Sequence, residues 1–228
     1  NNVAVATKPL NITWSFGTIA GHKDADSLTL TDSNGTRVTF TLSGPGRGEV
    51  VRDGDAFDLR LSGTSAASTL KISVSERHGY TVIDDLLVDG SLKEIKASDA
   101  NLSGSLSIGG SVRDLEFRNL EAGADISIAG SGIPVGLKAA RIAGVDIVSA
   151  SPFDSIAIDE WLQGGSGAGA IRAPSIAKLD VDGDFAANLI LSGAGADPTL
   201  DHVEIKGAVS GGTWNIYGTA GKIAADSI

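Results

Sequence analysis

Cysteine and methionine are both absent from the 228 residues. Without a thiol there is no disulfide, no thiolate nucleophile and no Cys-based zinc site. Histidine is scarce: His22, His78 and His202 lie far apart in the chain, and each reads as a surface residue rather than a metal ligand or general base. No apolar run approaches the ~18 residues that a membrane-spanning helix requires. Clustered cations are missing as well. Lys and Arg number 18 against 28 Asp and Glu, a net charge of −10, and no basic cluster exceeds two residues. Phosphate neutralisation needs such clusters, so neither nucleic acid nor an anionic membrane surface is an expected partner. The sequence has no G-x-S-x-G nucleophile elbow, and none of its Gly-rich stretches leads into a helical pattern or a Lys-Ser/Thr pair.

What remains is a chain rich in Gly (30 residues), Ser, Thr and acids, a composition that favours a secreted or cell-surface protein, although the absence of Cys fits a cytosolic one as well. It begins Asn1-Asn2-Val3-Ala4 and ends "TAGKIAADSI". The missing initial Met implies a removed start, for which a signal peptide is one candidate. The end reads as a repeat cut part-way, so the chain is expected to be a piece of something longer.

From Trp14 to about Val74 the apolar residues alternate with period two: Trp14/Phe16, Leu28/Leu30, Val38/Phe40/Leu42, Phe57/Leu59/Leu61 and Leu70/Ile72/Val74. Alternation of this kind marks half-buried antiparallel strands. Asn34-Gly35 suits a hairpin turn because both residue types accept positive φ. "GPGRGE" (44–49) and "RDGD" (52–55) read as further turns. Residues 1–78 are therefore expected to form a small antiparallel β-module, sandwich-like or a cap.

The remainder, 79–228, repeats itself. The phrase apolar–x–x–apolar–x–apolar fits Leu92/Ile95/Ala97, Val112/Leu115/Phe117, Leu137/Ala140/Ile142, Phe153/Ile156/Ile158, Ile176/Leu179/Val181, Leu200/Val203/Ile205 and Ala220/Ile223/Ala225. Successive starts lie 20, 25, 16, 23, 24 and 20 residues apart. A shorter phrase precedes several copies: Leu86-x-Val88, Leu106-x-Ile108, Ile126-x-Ile128, Leu189-x-Leu191 and Trp214-x-Ile216, with a degenerate copy around 167–174. A strand pair recurring at this interval cannot bury its apolar face alone, whereas stacked coils complete both the hydrogen-bond ladder and the core. A leucine-rich repeat would carry a recurrent Asn, which is missing. The predicted fold is all-β: a parallel β-helix (β-solenoid) of about seven irregular coils behind an N-terminal antiparallel β-module, with Gly at the tight corners for unusual φ/ψ angles.

The Gly-Ser-[Leu/Val]-x-x-[Ile/Leu] steps at 90–95 and 110–115 and their copies resemble the repetitive β-helix surface and secreted proteins of bacteria, of the autotransporter-like and planctomycete type. The resemblance spans roughly 80–228. It implies an adhesin, stalk or matrix component whose partners are polysaccharide, other surface components or further repeats of its own chain.

In a solenoid, chemistry has to come from outward positions aligned between coils. One residue before the last apolar position the phrase copies give Lys96, Glu116, Arg141, Ala157, Asp180, Glu204 and Ala224; one residue after it stand Ser98, Arg118, Ala143, Asp159, Asp182, Lys206 and Asp226. Asp159, Glu160, Asp180, Asp182, Asp184 and Glu204 thus form an acidic cluster drawn from three adjacent coils. Two functions compete for it. One is a solvated face of a non-catalytic module. The other is a carbohydrate-binding or polysaccharide-degrading groove, with Asp159, Asp180 and Asp182 as catalytic acids and Trp161 and Arg172 as sugar contacts. Trp161, outside the phrase, is read as exposed, and Trp214 as a packing anchor of the last coils. No cofactor is expected. Calcium is the one ion that the acids allow, and Asp24/Asp26 in "GHKDADS" offer only two of the six or more oxygens it wants. "GGSGAGAIR" (164–172) departs from the calcium nonapeptide at Gly169, where Asp is required, and "DVDGD" lacks the spacing of an EF-hand loop.

Overall fold

The computed structural model describes residues 12–21, 26–75, 79–165 and 167–227. His22, His78 and Asp24, one half of the expected calcium pair, lie outside the described residues; Asp26 is an exposed turn residue. The fold is all-β. Among the described residues no helix is long and apolar enough to cross a membrane.

Six strands make the N-terminal module: β1 Thr13–Gly17, β2 Ser27–Thr31, β3 Arg37–Ser43, β4 Arg47–Asp53, β5 Ala56–Ser62 and β6 Thr69–Val74. The β2–β3 hairpin turns at Asn34-Gly35, where Gly35 has φ 88° and the Asp32 carboxylate accepts the N–H groups of Asn34 and Thr36 at 2.9 and 2.8 Å. Antiparallel pairing runs β2–β3–β6 and β1–β4–β5. The alternating apolar residues meet between these layers, where Phe40 stands edge-on to Phe57 at 5.3 Å. Strand β4 corrects the expected turn at 44–49. Its inward position opposite Phe16 is Gly48, and a Cβ there would stand 2.3 Å from the Phe16 ring. The strand buries a neighbour's aromatic ring in place of a side chain of its own, so its alternation is invisible in the sequence.

The solenoid strands follow: β7 Thr81–Val88, β8 Leu92–Leu102, β9 Ser105–Ile108, β10 Val112–Leu120, β11 Asp125–Ile128, β12 Val135–Ala143 and β13 Asp146–Ser149. They continue as β14 Phe153–Leu162, β15 Ala170–Ala173, β16 Ile176–Val181, β17 Asn188–Leu191, β18 Leu200–Ala208, β19 Trp214–Ile216 and β20 Ala220–Ser227. All pair in parallel. The first face is the ladder of even-numbered strands β8 through β20, each pairing with the next over its front half. A short second ladder joins the ends of the long strands, Asn101–Asn119–Arg141–Glu160. Odd-numbered strands from β7 to β19 form the third. The parallel order begins inside the module, because β5 pairs β7 (Leu59↔Leu86) and β6 pairs β8 (Leu70↔Ile95). The module thus hands two strand edges, β5 and β6, to the first coil.

Six of the seven long phrases sit where the sequence places them. The third does not. Leu137 pairs with Leu115 and Ile156, and Lys138 with Glu116 and Ala157, so this coil reads Val135/Leu137/Ala139, one residue short, with the register shift between Val135 and Gly136. Ala139 is buried and Ala140 is not. The outward rows accordingly contain Lys138 and Ala140 in place of Arg141 and Ala143.

The glycines of the Gly-Ser-Leu step also have a different cause from the one expected. Gly90, Gly110 and Gly130 stack directly over one another without positive φ. A Cβ on Gly110 would lie 2.7 Å from the Ser91 nitrogen, and one on Gly130 would lie 2.3 Å from the carbonyl carbon of Gly110 and the nitrogen of Ser111. The corner requires backbone-on-backbone contact between coils, which only a residue without a side chain permits.

Candidate functional site

Where the first face turns toward the second ladder, the outward side chains of successive coils line an open groove of about 500 Å³. Asp159, Asp180, Asp182 and Glu204 all reach it, together with Arg118, Lys138 and Lys206. Asp180 and Glu204 are direct neighbours across the β16–β18 ladder, and Asp182 extends the ladder by donating its N–H to the Ile158 carbonyl at 3.0 Å. Strands at this pitch put aligned carboxylates about 4.8 Å apart at the backbone, so four of the six predicted acids do converge.

Their electrostatics are those of paired groups. Asp182 receives the Lys206 ammonium at 2.6 Å, and this contact, hydrogen bond first and charge second, raises the Lys206 pKa above its ordinary value. Asp180 is paired with Lys178 of its own strand, while its Oδ1 is buried without a hydrogen-bond partner. Glu116 and Lys138 pair across coils at 3.6 Å. His202 lies 4.0 Å from Glu204. Among the described residues no group of three or more His, Asp or Glu is arranged to hold a metal ion.

The other predicted residues fall elsewhere. Glu160 belongs to the second ladder and meets Arg141 at 3.4 Å. The Asp184 carboxylate accepts the Ala208 N–H at 2.9 Å and helps join adjacent coils. Arg172 projects from β15 on the third face and pairs with Asp146 at 3.2 Å, above a shallow depression it shares with Val148 and Tyr217. Trp161 is the clearest correction. It is fully buried, donates Nε1–H to the Ala168 carbonyl at 2.8 Å and stands edge-on to Phe185 at 5.8 Å. The chain bends after the long phrase and turns this position inward, so Trp161 is a core residue and cannot stack on a sugar. Trp214 packs as expected, partly buried and edge-on to Phe185 at 6.0 Å.

Several groups with structural consequences went unnoticed in the sequence. Ser149 occupies the inward position that Ile128 fills one coil earlier, and its hydroxyl bonds the Ser151 carbonyl and N–H at 2.8 and 3.1 Å. A polar residue there conceals the copy of the short phrase in β13. Arg118, on the groove wall, lies 4.4 Å over the Tyr80 ring. Asp85 accepts both the Ser105 hydroxyl and its N–H, which together hold its carboxyl below the ordinary range. Burial, followed by the charges of Asp85, Asp84 and Asp53, outweighs a backbone hydrogen bond and pushes Asp58 up.

Comparison with protein-family models, with curated proteins and with solved structures gives no match for this chain.

Proposed function

We propose that the chain is a non-catalytic structural and adhesion module, an extracellular β-solenoid segment of a larger repetitive bacterial surface protein. The observation that carries this reading is how the acids are used. Asp180, Asp182, Glu160 and Asp184 each serve a neighbouring cation or backbone N–H, most of them between coils. Groups engaged in this way hold successive coils in register and solubilise the rod, and surface pairs contribute at most about 1 kcal/mol each. Extracellular placement rests on the acidic, Cys- and Met-free composition, and adhesion rests on the resemblance of the Gly-Ser-Leu steps.

A second reading keeps one observation in its favour. Asp159, Asp180, Asp182 and Glu204 share a groove with Lys138 and Arg118, a surface that could take a polysaccharide. One experiment separates the two. Reducing-end release from a panel of neutral and anionic polysaccharides stays at buffer background for the structural module. Release that disappears in Asp159→Asn and Asp182→Asn establishes the enzyme instead, and binding without release, lost in the same variants, establishes a lectin-like groove.

A further inference from the structure

Along the solenoid axis the outward charges of the first face change sign. In β6 through β12 they are the cations Lys71, Lys93, Lys96, Arg113 and Lys138 against the acids Glu94, Asp114 and Glu116. In the same rows of β14 through β20 the balance reverses: Asp154, Asp180, Asp201 and Glu204 stand against Lys178 and Lys222, while Lys206 lies one outward position past these rows and is paired with Asp182. The alignment is set by register, not by sequence distance. One row runs Lys71–Lys96–Glu116–Lys138–Ala157–Asp180–Glu204. The sign changes at Ala157, beside Gly136 and Ser155 of the adjoining row. One end of the face is net positive, the other net negative, and the centre of the waist carries the small residues Gly136, Ser155 and Ala157, with Lys138 and Asp154 at its margins.

We propose that this face is a docking surface for a second copy of the chain, the two solenoids lying antiparallel with the twofold axis crossing the waist. Rotation about that axis sets the positive end of one copy against the negative end of the other: Lys93 opposite Asp201, Lys96 opposite Glu204 and Asp114 opposite Lys178, which outweigh the one like-charged position, Glu116 opposite Asp180. Gly136 meets Ser155 at the centre, where small residues allow two sheets to approach to the usual ~10 Å. At strand dimensions the face offers about 650 Å² per copy, somewhat less than the ~800 Å² of a standard stable interface. Charge complementarity at this size gives orientation and encounter rate more than affinity, so the dimer is weak and salt-sensitive. The docking row shares Glu116, Lys138, Asp180 and Glu204 with the groove, so a second copy seated here covers that edge of it.

Sedimentation velocity of the intact chain tests it. At about 0.02 M salt, where charges act over more than 20 Å, and at high protein concentration, the mass rises from 23.1 kDa toward twice that value. At about 0.5 M salt it returns to the single-chain value. Lys93→Glu/Lys96→Glu abolishes association, as does Asp201→Lys/Glu204→Lys, and an equimolar mixture of the two restores it. In mixed single-site variants, Lys96→Cys cross-links to Glu204→Cys but not to itself, which fixes the antiparallel order. A single-chain mass for the parent at every salt and protein concentration overturns the proposal. So does association that salt does not weaken, or reversed variants that still self-associate.

Discussion

Gly130→Ala is the most informative single substitution because the cost follows directly from the coil stack. The added methyl would stand 2.3 Å from two backbone atoms of the preceding coil, against an ordinary contact of 3.4 Å or more. One of two adjacent coils, or the corner itself, must therefore shift by about 1 Å, at a point where strand pitch is fixed at ~4.8 Å by the ladders on either side. Overpacking of this kind costs about 1–3 kcal/mol, with more where the clash is with backbone. For a chain of this size that corresponds to a loss of roughly 2–12 °C in Tm. Gly165→Ala is the control: nothing lies within 4 Å of its Cβ position and its φ is not positive. There the lower entropy of the unfolded chain predicts no loss, or a gain of about 0.4–1 kcal/mol. Because solenoid stability is a sum of coil and nearest-neighbour terms, Gly130→Ala also broadens the transition by weakening one interface within the stack. Differential scanning calorimetry of parent, Gly130→Ala and Gly165→Ala reads both effects. Equal melting temperatures for the two variants refute the backbone-contact explanation.

Trp161→Ala removes a fully buried indole and should cost about 3–5 kcal/mol by urea denaturation; a loss below 1 kcal/mol contradicts its place in the core. Asp159→Asn and Asp182→Asn, both exposed, should lower stability by no more than ~1 kcal/mol in urea denaturation, and a larger loss would mean that these acids contribute more than surface ion pairs do. Asp85 has a folded pKa below its unfolded value of about 3.8, so its contribution is present above that value and is lost as pH falls through the lowered folded one. Asp58 has the opposite sign: its pKa is raised by burial, its charged form weakens the fold at neutral pH, and acid relieves that cost. Ser105→Ala should therefore raise the Asp85 pKa toward the ordinary range in a carboxyl NMR titration and move the acid limb of the stability curve to higher pH; an unmoved Asp85 resonance contradicts the assignment of cause.

The solenoid was legible because its inward positions repeat as apolar residues while the rest vary. Ile95, Leu115, Ile156, Leu179 and Val203 occupy one row and announce it in the sequence. Legibility failed wherever an inward position was filled by something other than a large apolar side chain. Gly48 hid β4 because Phe16 occupies its space, Ser149 hid β13 because a local hydrogen bond satisfies it, and Ala139 let the third coil be read out of register. The groove acids were found because the phrase is in register from Phe153 onward, so that counting from it predicts Asp159, Asp180, Asp182 and Glu204. Beyond the bend, counting loses its reference. Counting places Trp161, Glu160, Asp184 and Arg172 on the right coils but not on the right faces.

The two edges offered by β5 and β6 bear on how the chain reaches its fold. Parallel coils are slow to start, since each closes a loop of about twenty residues, at roughly 2.7 kcal/mol plus a constant, before any ladder bond forms. The β2–β3 and β4–β5 hairpins close over short turns such as Asp32–Thr36, and with β6 added along β3 they present Leu59 and Leu70 to Leu86 and Ile95. They act as a template, and each coil laid down becomes the template for the next. Assembly then has a direction, from amino to carboxyl end, the same order in which a ribosome delivers the chain.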